Sequence, residues 1–157
     1  ETFIDADGNE QTWTHQSDRL IPKSDVELMR SSANVDAITE EDAIAKFEGE
    51  GKILNDYWRR QIHEDVKYNN YVAKPTETRA RINSGRQALR ELGIDVYNND
   101  VTESDIDKLG ESGHAGLRQL KRVYDKKDIL KMFNTISANT DLNFNIEQAT
   151  NKNINYS

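Results

Sequence analysis

A histidine and a glutamate stand side by side at His63-Glu64, as they do at the start of the His-Glu-x-x-His motif of zinc peptidases. In such enzymes a second histidine one helical turn later completes the zinc pair, and a downstream glutamate often adds a third ligand. Lys67 occupies the position of the second histidine, and its ammonium group cannot ligate zinc at neutral pH. We therefore expect His63 and Glu64 on the polar side of an amphipathic helix. A metal site at His63 and Glu77 is the alternative.

Serine chemistry and phosphate binding have weaker support. Ser112 and His114 are close in sequence, but closeness in sequence is not triad geometry, and no serine lies in a Gly-x-Ser-x-Gly turn. The glycines at 110, 113 and 116 lack the Lys-Ser/Thr ending of a phosphate-binding loop, so we interpret them as a flexible joint. The 28 acidic residues leave a catalytic carboxylate pair open. No cofactor is indicated, and an enzyme is the less favoured interpretation.

The bulk composition limits both the core and the partners. The 157 residues suit one domain, or one domain with tails. Only 35% are hydrophobic and 31% are charged, so a small core is expected, with segments that are exposed or packed on another chain. The net charge of -7 argues against a general nucleic-acid binder and against an anionic membrane surface. No apolar run reaches the roughly 18 residues of a membrane span.

The two ends of the chain have different characters. Residues 2–13 predict a β-hairpin, because Asp7-Gly8 suits a tight turn and Phe3 and Ile4 favour a strand. Positions 5, 7 and 9 would also begin a calcium loop, but its glycine would come two positions early and its twelfth residue is not glutamate, so we favour the turn. A polar connector follows to residue 23. The chain begins at Glu1 rather than Met, which suggests a processed product or a piece of a longer chain.

Between these ends the apolar spacing is helical. Three helix starts carry a capping pair: Ser24 with Glu27, Thr39 with Asp42, and Thr102 with Asp105. The spacing predicts helices near residues 24–32, 39–47, 53–66, 102–109, 117–124 and 125–136. The helix near 53–66 has its apolar face at positions 53, 54, 57, 58 and 62.

The best-defined helix begins at Pro75, where a missing N–H costs nothing, and stops before Gly93. Glu77 lies in the first turn, where a carboxylate favours the helix dipole, and Gly85 allows a close neighbour. Its buried side is expected at Ala80, Ile82, Leu89 and Leu92.

The same helix carries four arginines: Arg79, Arg81, Arg86 and Arg90. Arg79, Arg86 and Arg90 share one broad face, whereas Arg81 points elsewhere. Arginine is favoured at interfaces because its planar fork makes bidentate pairs with carboxylates. We expect ion pairs within the chain or with a protein partner, for example between Arg86 and acids near Glu91 or before residue 56, and direct nucleic-acid binding is disfavoured.

Together these patterns predict a mainly α fold of five to seven helices. We assign residues 1–23 to the hairpin and connector, 24–138 to a helical domain, and 139–157 to an extended polar C-terminal arm that orders on a partner.

The segment YVAKPTETRAR at residues 71–81 resembles a Tyr-x-x-x-Pro-x-Glu-x-x-Ala-Arg segment of virion-associated proteins of tailed bacteriophages, including crAss-like ones. The segment DILKMFN at 128–134 is similar to a helix near their C-termini, so the resemblance covers residues 68–134. A Pro-x-Glu-x-x-Ala stretch also supplies the third zinc ligand in some peptidases. That second likeness would place Glu77 at the ligand position, but Lys67 implies an inactive relative.

The phage resemblance implies a non-enzymatic particle component, located in the virion and in the host cytoplasm during assembly. Its partners would be other protein subunits, in an oligomer or particle, with no membrane. The expected contact residues are Tyr68, Tyr71, Pro75, Glu77, Arg79, Arg81, Arg86 and Arg90. A hydrolase, either metallopeptidase-like or a secreted effector, is the alternative function, and a regulatory adaptor for one protein partner is the third.

Overall fold

The computed structural model describes residues 2–5, 7–12 and 20–137. Within these ranges the chain is mainly α-helical, with eight helices and a small antiparallel sheet at the N-terminal end, which confirms the predicted fold class. The helices are α1 Lys23–Ser32, α2 Val35–Ile38, α3 Glu40–Gly49, α4 Asp56–Val72, α5 Pro75–Glu91, α6 Glu103–Glu111, α7 Ala115–Leu120 and α8 Lys126–Thr135. The additional helix is the one-turn α2, capped by Asn34. The expected C-terminal arm at 139–157 lies outside the described residues.

The N-terminal hairpin forms, and a third strand joins it. The strands β1 (Phe3–Ile4), β2 (Glu10–Gln11) and β3 (Ile21–Pro22) lie in the order β2-β1-β3, and both pairings are antiparallel. Asp5 closes the turn, because its Oδ1 accepts the backbone N–H groups of Asp7 and Asn9 at 3.0 and 2.9 Å. These acceptor bonds lower the pKa of Asp5, the bond from Asn9 most. The sequence placed Ile21-Pro22 in the connector, and β3 was missed.

The main core lies in the second half of the chain. Every residue that is essentially inaccessible to solvent in this cluster belongs to α1, to the end of α4, or to the segment from α5 to Ile136. Its largest members include Met29, Ile82, Leu89, Leu109 and Leu120. A smaller cluster of Ile4, Ile21 and Val26 joins the sheet to α1. By contrast, α3 has no buried residue.

Most predicted helix boundaries hold. Thr39 and Thr102 accept the N–H groups of Asp42 and Asp105, Pro75 is in the first turn of α5, and Gly93 has a φ of 86° after its end. The Ser24 capping box was wrong. Helix α1 starts at Lys23, whose N–H bonds to the Thr2 carbonyl at 2.8 Å, so the sheet fixes the start of the helix.

Three further details differ from the sequence expectation. Ala80 and Leu92, which were expected on the buried side of α5, are exposed. The apolar run at 53–62 does not form one buried face, because α4 begins at Asp56 and leaves Ile53 86% exposed. The three glycines at 110, 113 and 116 do not form a flexible joint. Gly110 and Gly116 lie inside α6 and α7, and only Gly113, with a φ of 80°, makes the turn between those helices.

Among the helices that the structure describes, none is both long enough and apolar enough to span a bilayer.

Candidate interaction surface

His63 and Glu77, the two residues of the alternative zinc site, contact different side chains. The Nδ1 of His63 lies 3.2 Å from Oε2 of Glu40, and the His63 side chain is 59% exposed. Glu77 instead pairs with Nη1 of Arg81 at 3.2 Å. Within residues 2–5, 7–12 and 20–137, no group of three or more His, Cys, Asp or Glu side chains could hold a metal ion.

His114 contacts a serine, but not Ser112. Its Nε2 lies 3.1 Å from the hydroxyl of Ser84 on α5, and its Nδ1 accepts the N–H of Leu117 at 3.0 Å, which caps α7. Because Nδ1 accepts, the neutral ring carries its proton on Nε2 and donates it to Ser84. A general base would need a free lone pair at that nitrogen. The pair therefore holds α5 to α7 and does not activate Ser84.

Two of the four arginines on α5 face inward. Arg79 is 5% exposed, and its Nη1 donates to the Leu20 carbonyl at 2.8 Å while its Nε donates to the Ser137 carbonyl at 3.3 Å. Arg86 donates to the carbonyls of Phe133 and Ile136 at the end of α8. The expected partners were carboxylates such as Glu91, and this was wrong for the Arg86 hydrogen bonds. Both side chains donate to backbone carbonyls just before β3 or at the C-terminal end of α8.

The other two arginines lie against tyrosines. Arg81 donates to Gln119 Oε1 at 2.7 Å and to Glu77, and its guanidinium is 5.6 Å from the centre of the Tyr71 ring. Arg90 donates to the Tyr97 hydroxyl at 2.9 Å. Glu77 also accepts the Tyr71 hydroxyl, and this hydrogen bond to a carboxylate raises the pKa of Tyr71. Pro75 is the first residue of α5 and follows Tyr71 by four positions in the sequence.

One face of α4 is exposed along its whole length. Positions 57, 61, 64, 68 and 71 recur every three to four residues, so they lie on one side of the helix, and all five are exposed. The stripe is about 21 Å long at 1.5 Å per residue. Tyr57, Tyr68 and Tyr71 are 56%, 37% and 44% exposed, with Gln61 and Glu64 between them. We call these five residues the tyrosine stripe.

Cationic side chains contact the two tyrosines at the C-terminal end of the tyrosine stripe. The rings of Tyr68 and Tyr71 are 6.2 Å apart, and the guanidinium of Arg122 lies 4.9 Å from the Tyr68 ring. Arg122 is itself fixed, because its Nε donates to Asn69 at 2.7 Å. Lys74 lies 5.8 Å from the Tyr71 ring on the helix junction. Each cation attracts the face of the ring that it contacts.

The sequence-predicted contact residues therefore divide into two groups. Tyr68, Tyr71, Glu77 and Arg81 come together at the α4–α5 junction, whereas Arg79 and Arg86 serve the interior. Arg90 lies at the far end of α5. The sequence interpretation missed Arg122 because it comes from a turn that is distant in sequence, and it assigned Tyr57 to a buried face. The three-to-four spacing of the stripe was the signal that could have identified Tyr57.

No protein-family model matches the sequence, and no curated protein or solved structure matches it.

Proposed function

We propose that the protein is a non-enzymatic assembly protein, and that it associates through the tyrosine stripe with a second copy of itself. The observation that carries this proposal is the row of exposed tyrosines on one face of α4, two of them in contact with cations. Tyrosine, tryptophan and arginine dominate binding energy at protein interfaces. Side chains that are already ordered lose little conformational entropy when a partner binds.

The stripe suits an antiparallel copy of the same helix. Tyr57 is at one end and Tyr71 at the other, so a two-fold axis near Glu64 sets each Tyr57 against the partner copy's Tyr71. The alternating spacing of three and four residues is the one with which two helices pack along a seam. Two Glu64 carboxylates would meet near the axis, where like charges weaken association.

Association should be measured as mass against concentration by light scattering. Wild-type protein should rise from 18.0 kDa towards twice that mass, and Tyr68→Ser with Tyr71→Ser should keep the chain at monomer mass. Leu92→Ser is the matched control, because Leu92 is 49% exposed but lies outside the stripe. Glu64→Gln should shift association to lower concentration. A wild-type monomer at all concentrations, or equal association of the double variant, would contradict the proposal.

The absence of cysteine from the sequence gives a direct test of orientation. Chains with Tyr57→Cys and chains with Tyr71→Cys, mixed and oxidised, should form the mixed disulfide in preference to either symmetric one. Preferential linkage of two Tyr71→Cys chains to each other would indicate parallel helices and reject the antiparallel arrangement.

We also propose a bacteriophage particle as the setting, with the virion as the location of the protein. The support is the resemblance of residues 68–134 to virion-associated proteins. Peptide mass spectrometry of purified particles from the protein's source should detect the chain at a copy number that is a multiple of the particle symmetry. Its absence from intact particles would reject this setting while leaving the self-association result unaffected.

A further inference from the structure

The two edges of the N-terminal sheet differ in the backbone groups that they present. The strand order β2-β1-β3 places β2 and β3 at the edges. The N–H of Asp5 donates to the carbonyl of Asn9 at 3.0 Å, and hydrogen-bonded pairs alternate with non-hydrogen-bonded pairs along an antiparallel ladder. The next pair is Ile4 with Glu10, so the N–H and carbonyl of Glu10 point away from β1.

The β3 edge is blocked. The N–H of Lys23 donates to the Thr2 carbonyl at 2.8 Å, and by the same alternation the outward backbone groups belong to Leu20 and Pro22. Pro22 has no N–H, and the carbonyl of Leu20 already accepts Nη1 of Arg79 at 2.8 Å. Neither residue can therefore supply both a donor and an acceptor to another strand.

The β2 edge is open in the part of the chain that the structure describes. Both residues of β2 are exposed, and so is Thr12. Among the described residues, no hydrogen bond reaches the backbone N–H or carbonyl of Glu10, whose side chain pairs with Lys23 at 3.2 Å. An open strand edge is a template for pairing with another extended segment.

The last described residue, Ser137, is fixed close to this sheet. Its N–H and its hydroxyl both donate to Oδ2 of Asp25, at 3.0 and 2.7 Å. Arg79 links the Ser137 carbonyl to the carbonyl of Leu20, directly before β3. Asp25 and Arg79 are each only 5% exposed. The segment that follows Ser137 in the sequence therefore begins beside the sheet.

That segment contains an alternating pattern within reach of β2. Leu142, Phe144 and Ile146 alternate with asparagines, which is the period of a strand with one apolar face. A strand added outside β2 would lie three strand spacings, about 14 Å, from β3. The six residues 138–143 span up to about 20 Å when extended. The chain is therefore long enough to bring residue 144 alongside β2.

We propose that residues 142–146 add to the sheet of the same chain as a fourth strand beside β2. Main-chain hydrogen bonds to Glu10 hold the strand, as in other cases of strand addition to a free edge, and its apolar face turns towards the protein. The open edge shares no residue with the tyrosine stripe, so this inference is independent of the proposed self-association.

The test is amide hydrogen exchange of the full chain, followed residue by residue by NMR. The Glu10 N–H should exchange at least about tenfold more slowly in wild type than in a variant with Leu142→Ser and Phe144→Ser. The matched control carries Asn143→Ser and Asn145→Ser on the opposite face of the same segment, and it should keep the wild-type exchange rate.

The neighbouring Gln11 amide shows whether the hairpin is intact. Gln11 pairs with Phe3, and by the ladder alternation its N–H points towards β1. Its protection should therefore stay the same in wild type and in both variants, whether or not a fourth strand is present. Loss of Glu10 protection alone assigns the effect to the open edge.

Three results would overturn the proposal. The Glu10 amide of wild type exchanging as fast as a free amide would show that no strand pairs with β2. Equal protection in the variant without Leu142 and Phe144 would show that another segment occupies the edge. Protection that falls on about tenfold dilution would show that a second copy supplies the strand, because only an intermolecular contact follows mass action.

Discussion

Helices α4 and α5 are consecutive and have the same length, 17 residues each, but they are used differently. Helix α5 passes through the core, where Thr78, Ile82 and Leu89 have no exposed surface. Helix α4 has four buried residues, and none of its first six is buried. Its N-terminal half packs mainly on α3, where Phe47 contacts Trp58 with ring centres 5.6 Å apart.

The two helices also differ from the usual distribution, in which charged residues lie at the surface and aromatic residues lie in the core. Arg79 and Arg86 of α5 face inward and bind carbonyl groups, while Tyr57 and Tyr71 of α4 face outward. A buried arginine is tolerated because its donors find acceptors, and Arg86 also places positive charge at the negative end of the α8 dipole. Tyr71 also has contacts inside the chain, to Glu77 and Arg81, but its ring remains 44% exposed. The difference indicates that α5 stabilises the fold, whereas one face of α4 is exposed to solvent.

Truncation of a large side chain should give the largest difference in stability between variants of the two helices. Leu89→Ala in α5 should lower the free energy of unfolding by about 2–5 kcal/mol, because it leaves a cavity in the core. Tyr57→Ala in α4 should change it by no more than about 0.5 kcal/mol, since the ring is mostly in solvent. Urea unfolding followed by circular dichroism measures both. A cost for Tyr57→Ala close to that of Leu89→Ala would show that the stripe is part of the fold.

The inward arginine gives a second contrast. Arg79→Met should destabilise the protein by about 2–4 kcal/mol, because the carbonyls of Leu20 and Ser137 lose a charged donor away from water. Arg60→Met on the exposed side of α4 is the control, with an expected change within about 0.5 kcal/mol. The same urea experiment applies, and similar costs for the two variants would contradict the structural role of Arg79.

Glycine-to-alanine changes should have opposite signs in the two regions. A Cβ at Gly85 of α5 would lie 2.6 Å from Cζ of Phe133, inside the packed core, so Gly85→Ala should cost about 1–3 kcal/mol. At Gly49, the last residue of α3, the same Cβ meets nothing within 4 Å. Gly49→Ala should therefore stabilise by up to about 1 kcal/mol through helix propensity. Thermal unfolding midpoints that fall for both variants would indicate that α3 is more tightly packed than described.

The sequence was sufficient where the signal is local. The caps at Thr39 and Thr102, the start at Pro75 and the close approach at Gly85 each depend on residues within a few positions or on the size of one side chain. It failed where the partner is distant in sequence. Strand β3 exists because residues near 21 pair with residues near 3, and Pro22 hides that signal.

The candidate surface shows the same division. Tyr68 and Tyr71 were expected as contact residues from the resemblance, but the cation over Tyr68 comes from Arg122, which local patterns do not connect to it. Arg79 and Arg86 both donate to backbone carbonyls more than forty residues away, and a carbonyl leaves no mark in the sequence. Residue type therefore predicted that the arginines would have partners, but it did not identify those partners.

The smallest expected effect concerns His114, which joins α7 to the exposed side of α5. Burial lowers the pKa of His114 below the usual value near 6.5, so the folded state binds fewer protons than the unfolded state in that range. Stability from this group is present above pH 6.5 and is lost as the pH falls below it. Protonation would also set an Nδ1–H against the Leu117 N–H and remove the cap of α7.

His114→Asn keeps a capping acceptor but does not titrate. Lowering the pH from about 7.5 to about 5.5 should reduce the urea midpoint of wild type more than that of His114→Asn, with the other titrating groups common to both. The difference should be small, because the ring is only partly buried and solvent screens its charge. An equal fall in both proteins would mean that folding does not change the pKa of His114. The contact between His114 and Ser84 would then be a surface contact, like the contact between His63 of α4 and Glu40.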